Sequence, residues 1–156
     1  MKTRFKIRPY QGETDNKQLG LLGLPRKYMA QYTNSPPLYH ALMRLGICTN
    51  YLYLMTEEGS AKVVGTILLR KRLNLVEAEY HWKMHAVYVA PELRGRGFGV
   101  DLVCYALREL GQRRVKQVSL KVDEDNEAAI GLYKKCGFVE KKRRSGQLIL
   151  VKHLAA

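Results

Sequence analysis

At 156 residues the chain has the length of one domain, and its 46% hydrophobic and 26% charged residues belong to a globular protein, not a disordered one. No apolar run reaches the ~18 residues that span a bilayer, and the basic start Met1 to Lys6 leads into no apolar segment, so neither a membrane anchor nor a secretory leader is expected and a cytoplasmic protein is. The net charge of +13 is the unusual bulk property: it favours nucleic acid, the ribosome, an acidic protein or a phosphate-rich cofactor as partner, although no aromatic-interleaved basic stretch of the kind that grips single strands accompanies it.

In chain order, a short strand is expected at Phe5–Arg8. Pro25 suits the first turn of a helix through Tyr28 and Tyr32, and Ser35-Pro36-Pro37 starts another towards Leu45. Tyr51–Thr56 and Val63–Arg70 are β-rich and joined by Glu57-Glu58-Gly59-Ser60, a hairpin pattern. A long strand then runs from Val76 to Val89. Its even positions, Val76, Ala78, Tyr80, Trp82, Met84, Ala86 and Tyr88, form a face for the core. Its odd positions, Glu77, Glu79, His81, Lys83 and His85, gather titratable groups that stop near a glycine-rich turn.

Beyond that turn Val103, Ala106, Leu107 and Leu110 repeat at helical spacing, with Gly111 expected to end the helix. Val118–Val122 reads as a strand. Ala129, Leu132, Tyr133 and Cys136 again share a helical face, followed by Gly137. Phe138–Val139 and Leu148–Val151 are expected as final strands around Arg144-Ser145-Gly146. With no repeat and no linker, residues 1–156 form a single mixed α/β domain. The cysteines Cys48, Cys104 and Cys136 are odd in number and lack CxxC spacing, which argues against a disulfide framework or a zinc site and for buried apolar residues.

The turn Arg94-Gly95-Arg96-Gly97-Phe98-Gly99 stands between a strand end and a helix start. Glycines permit backbone angles that aim successive N–H groups inward, and the helix N-terminus adds about half a positive charge, so the element suits a phosphate. A P-loop is excluded, because Gly99 is followed by Val100-Asp101 and not by Lys-Ser/Thr. A dinucleotide fingerprint is excluded by GxGxG spacing where GxGxxG is required.

The stretch Val87-Tyr88-Val89-Ala90-Pro91-Glu92-Leu93-Arg94-Gly95-Arg96-Gly97-Phe98-Gly99 closely resembles the acetyl-CoA signature of the GCN5-related N-acetyltransferases, with Arg94, Gly97 and Gly99 at its fixed positions. A second family element follows at Asn126-Glu127-Ala128-Ala129-Ile130-Gly131-Leu132-Tyr133 and Lys134-Lys135-Cys136-Gly137-Phe138. The likeness covers about residues 76–140; before it only the order of elements agrees. The resemblance implies a mostly antiparallel sheet flanked by helices, with one strand pair splayed apart. It implies a pyrophosphate held by backbone N–H groups of Gly95 to Val100, charge from Arg94 and Arg96, a pantetheine arm along Val87, Tyr88 and Val89, and a contact from Asn126, which is equally a good N-cap. The activity implied is transfer of an acetyl group from acetyl-CoA to an amine, with no metal.

That reaction needs a neutral amine, stabilisation of negative charge on oxygen and a proton for the thiolate. An alkyl amine of pKa near 10.4 is neutral in about one molecule per thousand at neutral pH, so a base helps. The N–H of Val89 is a candidate oxyanion donor. By resemblance Tyr133 is the candidate general acid; its place on an apolar helical face equally suits the core. His85 is the first candidate base and Glu79 the second, with His81 and Glu77 on the same face. Direct transfer in a ternary complex is expected over a cysteine intermediate. The acceptor side implied by the family carries Arg26, Lys27, Tyr28, Tyr32, Tyr39, His40 and Lys141 to Arg144, which favours an acidic peptide, a protein N-terminus or an amine bearing a carboxylate over a polycation. Two alternatives are a non-catalytic acyl-CoA sensor and a nucleic-acid or ribosome-binding protein. A homodimer is common among such proteins.

Overall fold

The computed structural model describes residues 4–11, 15, 18–19, 45, 48–60 and 62–155. The helices expected after Pro25 and Ser35, together with Arg26, Lys27, Tyr28, Tyr32, Tyr39 and His40, lie outside the described residues. The described chain forms β1 (Phe5–Pro9), β2 (Cys48–Glu57), β3 (Val63–Asn74), β4 (Glu79–Val89), α1 (Phe98–Gln112), β5 (Gln117–Asp123), α2 (Glu127–Lys135), β6 (Val139–Arg144) and β7 (Gln147–His153). The strands make one seven-stranded sheet in the order β1-β2-β3-β4-β5-β7-β6. Every neighbouring pair is antiparallel except β4 and β5, as the family resemblance implies.

Both helices lie on one face of the sheet. Leu102, Val103, Ala106 and Leu110, the apolar stripe of α1, pack with Met55, Ile67, Leu69, Trp82 and Met84 from the strands. Burying each large side chain is worth roughly 1.5–3 kcal/mol. The opposite face holds a smaller cluster of Leu19, Leu54 and Val63, bordered by Tyr10, Leu52 and Tyr88.

Helix ends are set locally. In α2, Phe138 N–H donates to Tyr133 C=O (3.0 Å) and Gly137 N–H to Lys134 C=O (2.9 Å), a Schellman closure with Gly137 at φ 83°. In α1 the same closure uses Arg114 at φ 55°, with Val115 N–H on Leu110 C=O, so Gly111 lies inside the helix and does not end it.

Three other expectations are corrected. Leu75 to Ala78 is a turn, not strand: Asn74 Oδ1 accepts the Val76 N–H at 3.0 Å, Ala78 sits at φ 52°, and Val76 is 94% exposed. The strand expected at Phe138–Val139 is β6, Val139–Arg144, whose residues are all exposed at the sheet edge and include Lys141 to Arg144; charge there deters edge-to-edge pairing. Cys104 is exposed, although Cys136 is buried as expected.

Candidate functional site

The glycine turn leads into α1 with Gly95 at φ 74° and Gly97 at φ 91°. A Cβ on either would meet nothing within 4 Å, so it is the backbone angle and not space that calls for glycine at both. Gly99 is different: its φ is not left-handed, but a Cβ there would collide with Leu132 Cδ1, so glycine lets α2 approach α1. Gly97 is the N-cap and brings no side-chain acceptor to the first turn. The N–H of Asp101 closes the first helical bond on Gly97 C=O at 3.1 Å, leaving the N–H groups of Phe98, Gly99 and Val100 without intrahelical acceptors. Phe98 anchors the turn to β1 by an edge-to-face contact with Phe5, 4.7 Å between centroids. Arg96 is exposed beside it.

Arg94 reaches back to the strand. Its Nε donates to Val89 C=O at 3.0 Å, and its guanidinium lies 5.7 Å from the centre of the Tyr88 ring. Turn and strand end are thereby tied together.

Strands β4 and β5 pair only at Trp82 with Val118 and Lys83 with Ser119. Beyond Lys83 they diverge, while β4 continues to Val89 and β5 to Asp123. Because Ala90 N–H bonds to β3 at Val64 C=O (2.8 Å), the Val89 carbonyl must face the other way, and the Val89 N–H with it. The Val89 N–H therefore points into the gap.

A β-bulge adjusts the faces of β4. The register with β3 shifts between Thr66 and Leu68, Ala86 takes φ 49°, and Thr66 Oγ1 donates to Ala86 C=O at 3.1 Å. Below the bulge the even residues Trp82 and Met84 enter the helix-side core; above it Val87 and Val89 do, and Tyr88 turns to the opposite face. This is why the odd positions turn apolar at Val87.

Asn126 caps α2, its Oδ1 accepting the Ala129 N–H at 3.1 Å. Tyr133 is buried at 9% exposure in the same core as Val87, Val89 and Val100, held edge-on to Phe138 at 5.8 Å across the Schellman closure. Thus the turn that ends α2 also fixes the Tyr133 ring.

His85 is the first titratable group on the open side of the β4–β5 pairing. Its Nε2 is buried with no hydrogen-bond partner. Burial, then the charges of Arg70, Lys83, Arg72 and Lys121, lower its pKa to about 4, so the ring is neutral at physiological pH. Glu79 is not brought to this place. It opens β4, ten residues before Val89, roughly 33 Å of extended chain, and lines a cavity of about 860 Å³ with Tyr51, Trp82 and Arg113 at the paired end of the strands. His81 is tied to Glu77 at 2.7 Å near the hairpin turn. The cationic group formed by Arg70, Arg72, Lys83 and Lys121 was not singled out by sequence reasoning as a unit; the period-2 pattern of β3 and β4 places Arg70, Arg72 and Lys83, but the register that unites them is tertiary. Among the described residues no cluster of His, Cys, Asp and Glu fit to hold a metal is found, and no helix is long and apolar enough to cross a membrane.

Comparison with known proteins gives concordant results. The model of the Acetyltransferase (GNAT) family matches residues 23–138. An uncharacterized N-acetyltransferase of Methanocaldococcus jannaschii is 38% identical over 72 residues, 46% of this chain and 32% of the relative. A mycothiol acetyltransferase of Paenarthrobacter aurescens is 42% identical over 57 residues, 36% of this chain and 18% of the relative, so the chain spans a third or less of these curated relatives. The fold matches the ribosomal-protein-S18-alanine N-acetyltransferase of Escherichia coli, with TM-score 0.68, 20% identity and coverage of 98% of this chain and 96% of that one. It also matches NAA60 of Arabidopsis thaliana in complex with acetyl-CoA, with TM-score 0.71, 15% identity and coverage of 97% and 99%.

Proposed function

Because the chain belongs to the acetyltransferase (GNAT) family, we propose that it is an acetyl-CoA-dependent N-acetyltransferase acting on a primary amine by direct transfer in a ternary complex. The observation that carries this reading is the juxtaposition of two elements: a glycine turn with uncapped N–H groups, and a strand gap into which the Val89 N–H points. Left-handed Gly95 and Gly97, open space above them and the flanking Arg94 and Arg96 fit a pyrophosphate, which is doubly anionic and rich in acceptors. The edge of β4 from Val87 to Val89 fits an extended chain of amides lying in the gap.

Bound there, acetyl-CoA supplies a thioester whose carbonyl carbon the amine attacks. A new C–N bond forms, the C–S bond breaks, the amine loses one proton and the thiolate takes one up. The Val89 N–H stabilises charge developing on the carbonyl oxygen. Tyr133 donates the proton to the departing sulfur, its ring fixed against Phe138. His85, neutral and with an unpartnered Nε2, receives the amine proton directly or through water. Asn126 positions α2 through its cap. Glu79 has no part here, because the register sets it at the paired end of the strands.

Calorimetry with acetyl-CoA tests the reading. Micromolar binding by the native protein, lost in Gly97→Trp, followed by CoA release with an amine or peptide acceptor, is the expected result. No binding of acetyl-CoA or longer acyl-CoAs would sink it. Binding without turnover, unchanged by Tyr133→Phe, would identify a sensor instead.

A further inference from the structure

The sheet face opposite α1 and α2 carries an arrangement that stability alone disfavours. The β3–β4 register sets Arg70 directly opposite Lys83 and Arg72 opposite His81. Lys83 pairs along β5 with Ser119, and Lys121, two residues on, points to the same face as Ser119. Like charges directly across a strand pair repel. Arg70, Arg72, His81 and Lys83, with Leu73 and Asn74, line a cavity of about 190 Å³.

The repulsion is not relieved from within the described residues. None of the ion pairs there involves Arg70, Arg72, Lys83 or Lys121. Arg70 Nε donates to the neutral Asn50 Oδ1 at 3.2 Å. Glu77 is taken by His81 and Asn74, and Glu79, opposite Asn74 at the far end of the strand, pairs with none of the four cations. Outside the described residues the sequence holds a single carboxylate side chain, Glu13, against Lys2, Lys17, Arg26, Lys27 and Arg44, too few to neutralise the four cations. Lys83 responds as such a site should: burial, then Lys121, Arg72 and Arg70, holds its ammonium below the usual lysine range.

We propose that this face recognises an acceptor whose own skeleton carries a carboxylate, gripped by Arg70, Arg72 and Lys83 while its amine lies at the strand gap. The proposal rests on the N-acetyltransferase reading for the amine, and on the cation face alone for the carboxylate. Lys83 precedes His85 by two residues and Arg72 stands opposite His81, four residues back, so an anion held there lies roughly 7–13 Å along the strand from His85, which receives the amine proton, a span of two to four residues of extended chain. An acidic residue at the second or third position of a peptide meets that requirement. Neutralising the cations also offsets the coulombic part of what lowers the basicity of His85, burial being the larger cause.

The test uses the intact protein and two readouts. Glutarate and its uncharged diamide are titrated calorimetrically at low salt into the native protein, into Arg72→Gln/Lys83→Met, and into Lys6→Gln/Arg108→Gln, which loses the same charge elsewhere. Glutarate is expected to bind and the diamide not; the first variant weakens glutarate at least 10-fold and the second less than twofold. Both retain acetyl-CoA affinity, and the cluster variant melts no lower than the native protein. Acetylation of a peptide acidic at its second and third positions is then expected at a lower KM than its amide counterpart, with the preference erased in the cluster variant. Absence of glutarate binding, equal losses in the two variants, or a preference that survives the cluster change overturns the proposal. Glutarate binding that follows the cluster in a protein that ignores acetyl-CoA would overturn the catalytic reading and leave the anion site standing.

Discussion

His85 allows the electrostatics of this site to be measured without any substrate. Its folded pKa of about 4 lies below the ordinary 6.5, because burial and four nearby cations oppose the imidazolium. In an unfolded chain the ring takes up its proton near 6.5. The unfolded state therefore binds more protons than the folded one as pH falls from 6.5 towards 4, and stability is lost over that window. From these two values the loss is about 2 kcal/mol between pH 7 and pH 5, rising to roughly 3 kcal/mol by pH 4. His85→Gln, which cannot protonate, should lack this component. The assay is urea denaturation of both proteins at pH 7 and pH 5. The native protein should lose about 2 kcal/mol more than the variant on acidification, a shift of about 1 M in midpoint for a typical urea slope. Identical pH dependence in the two proteins would refute the reasoning, and with it the claim that Arg70, Lys83, Arg72 and Lys121 act on His85.

Three further outcomes follow from particular contacts. Tyr133→Phe keeps the ring against Phe138 but removes the proton, so kcat should fall about 10²-fold or more while acetyl-CoA affinity holds within error; an unchanged kcat assigns the proton elsewhere. Arg8 binds the buried Asp15 through both guanidinium nitrogens at 2.7 and 2.8 Å, and the Gln11 N–H adds 2.6 Å, so Arg8→Ala should cost about 3 kcal/mol by denaturation at pH 7. The hydrogen-bonded Arg8 holds the Asp15 carboxyl below its usual range, so this stabilisation is complete above about pH 4 and disappears as pH falls through the lower folded value, where the two proteins should converge. Burial pushes the Cys136 thiol up to about 11, with Cys104 adding to it, so native iodoacetamide labelling followed by mass spectrometry should modify the exposed Cys104 and spare Cys136 until the protein is unfolded; equal labelling would contradict the burial.

Much of the site is written locally and was legible for that reason. A glycine turn depends on backbone angles within six residues, so Arg94 to Gly99 announces itself, and Gly95 and Gly97 take the left-handed angles that turn needs. Asn126 and Gly137 are local signals of the same kind, one an N-cap and the other a helix end. Strand alternation likewise displays Trp82 and Met84 as core. The reading failed where a local pattern has two solutions. Val76 to Ala78 alternates like a strand, but Asn74 closes a turn over it. Gly111 looks like a helix end, but Arg114 accepts the left-handed angle three residues later.

What the chain by itself determined, then, is the glycine turn, the helix caps and the two-faced character of β4, because each is decided by neighbours a few residues away. Which residues meet was decided only in three dimensions. The single bulge at Ala86 reverses the faces of β4 and sends Val87 and Val89 inward; the divergence of β4 and β5 after Lys83 opens the gap beside Val89. That same register moves Glu79 to the far end and gathers Arg70, Arg72, Lys83 and Lys121 around His85. Register is a property of paired strands: shifting it by one residue turns every side chain to the other face, and no stretch of a single strand encodes that choice alone.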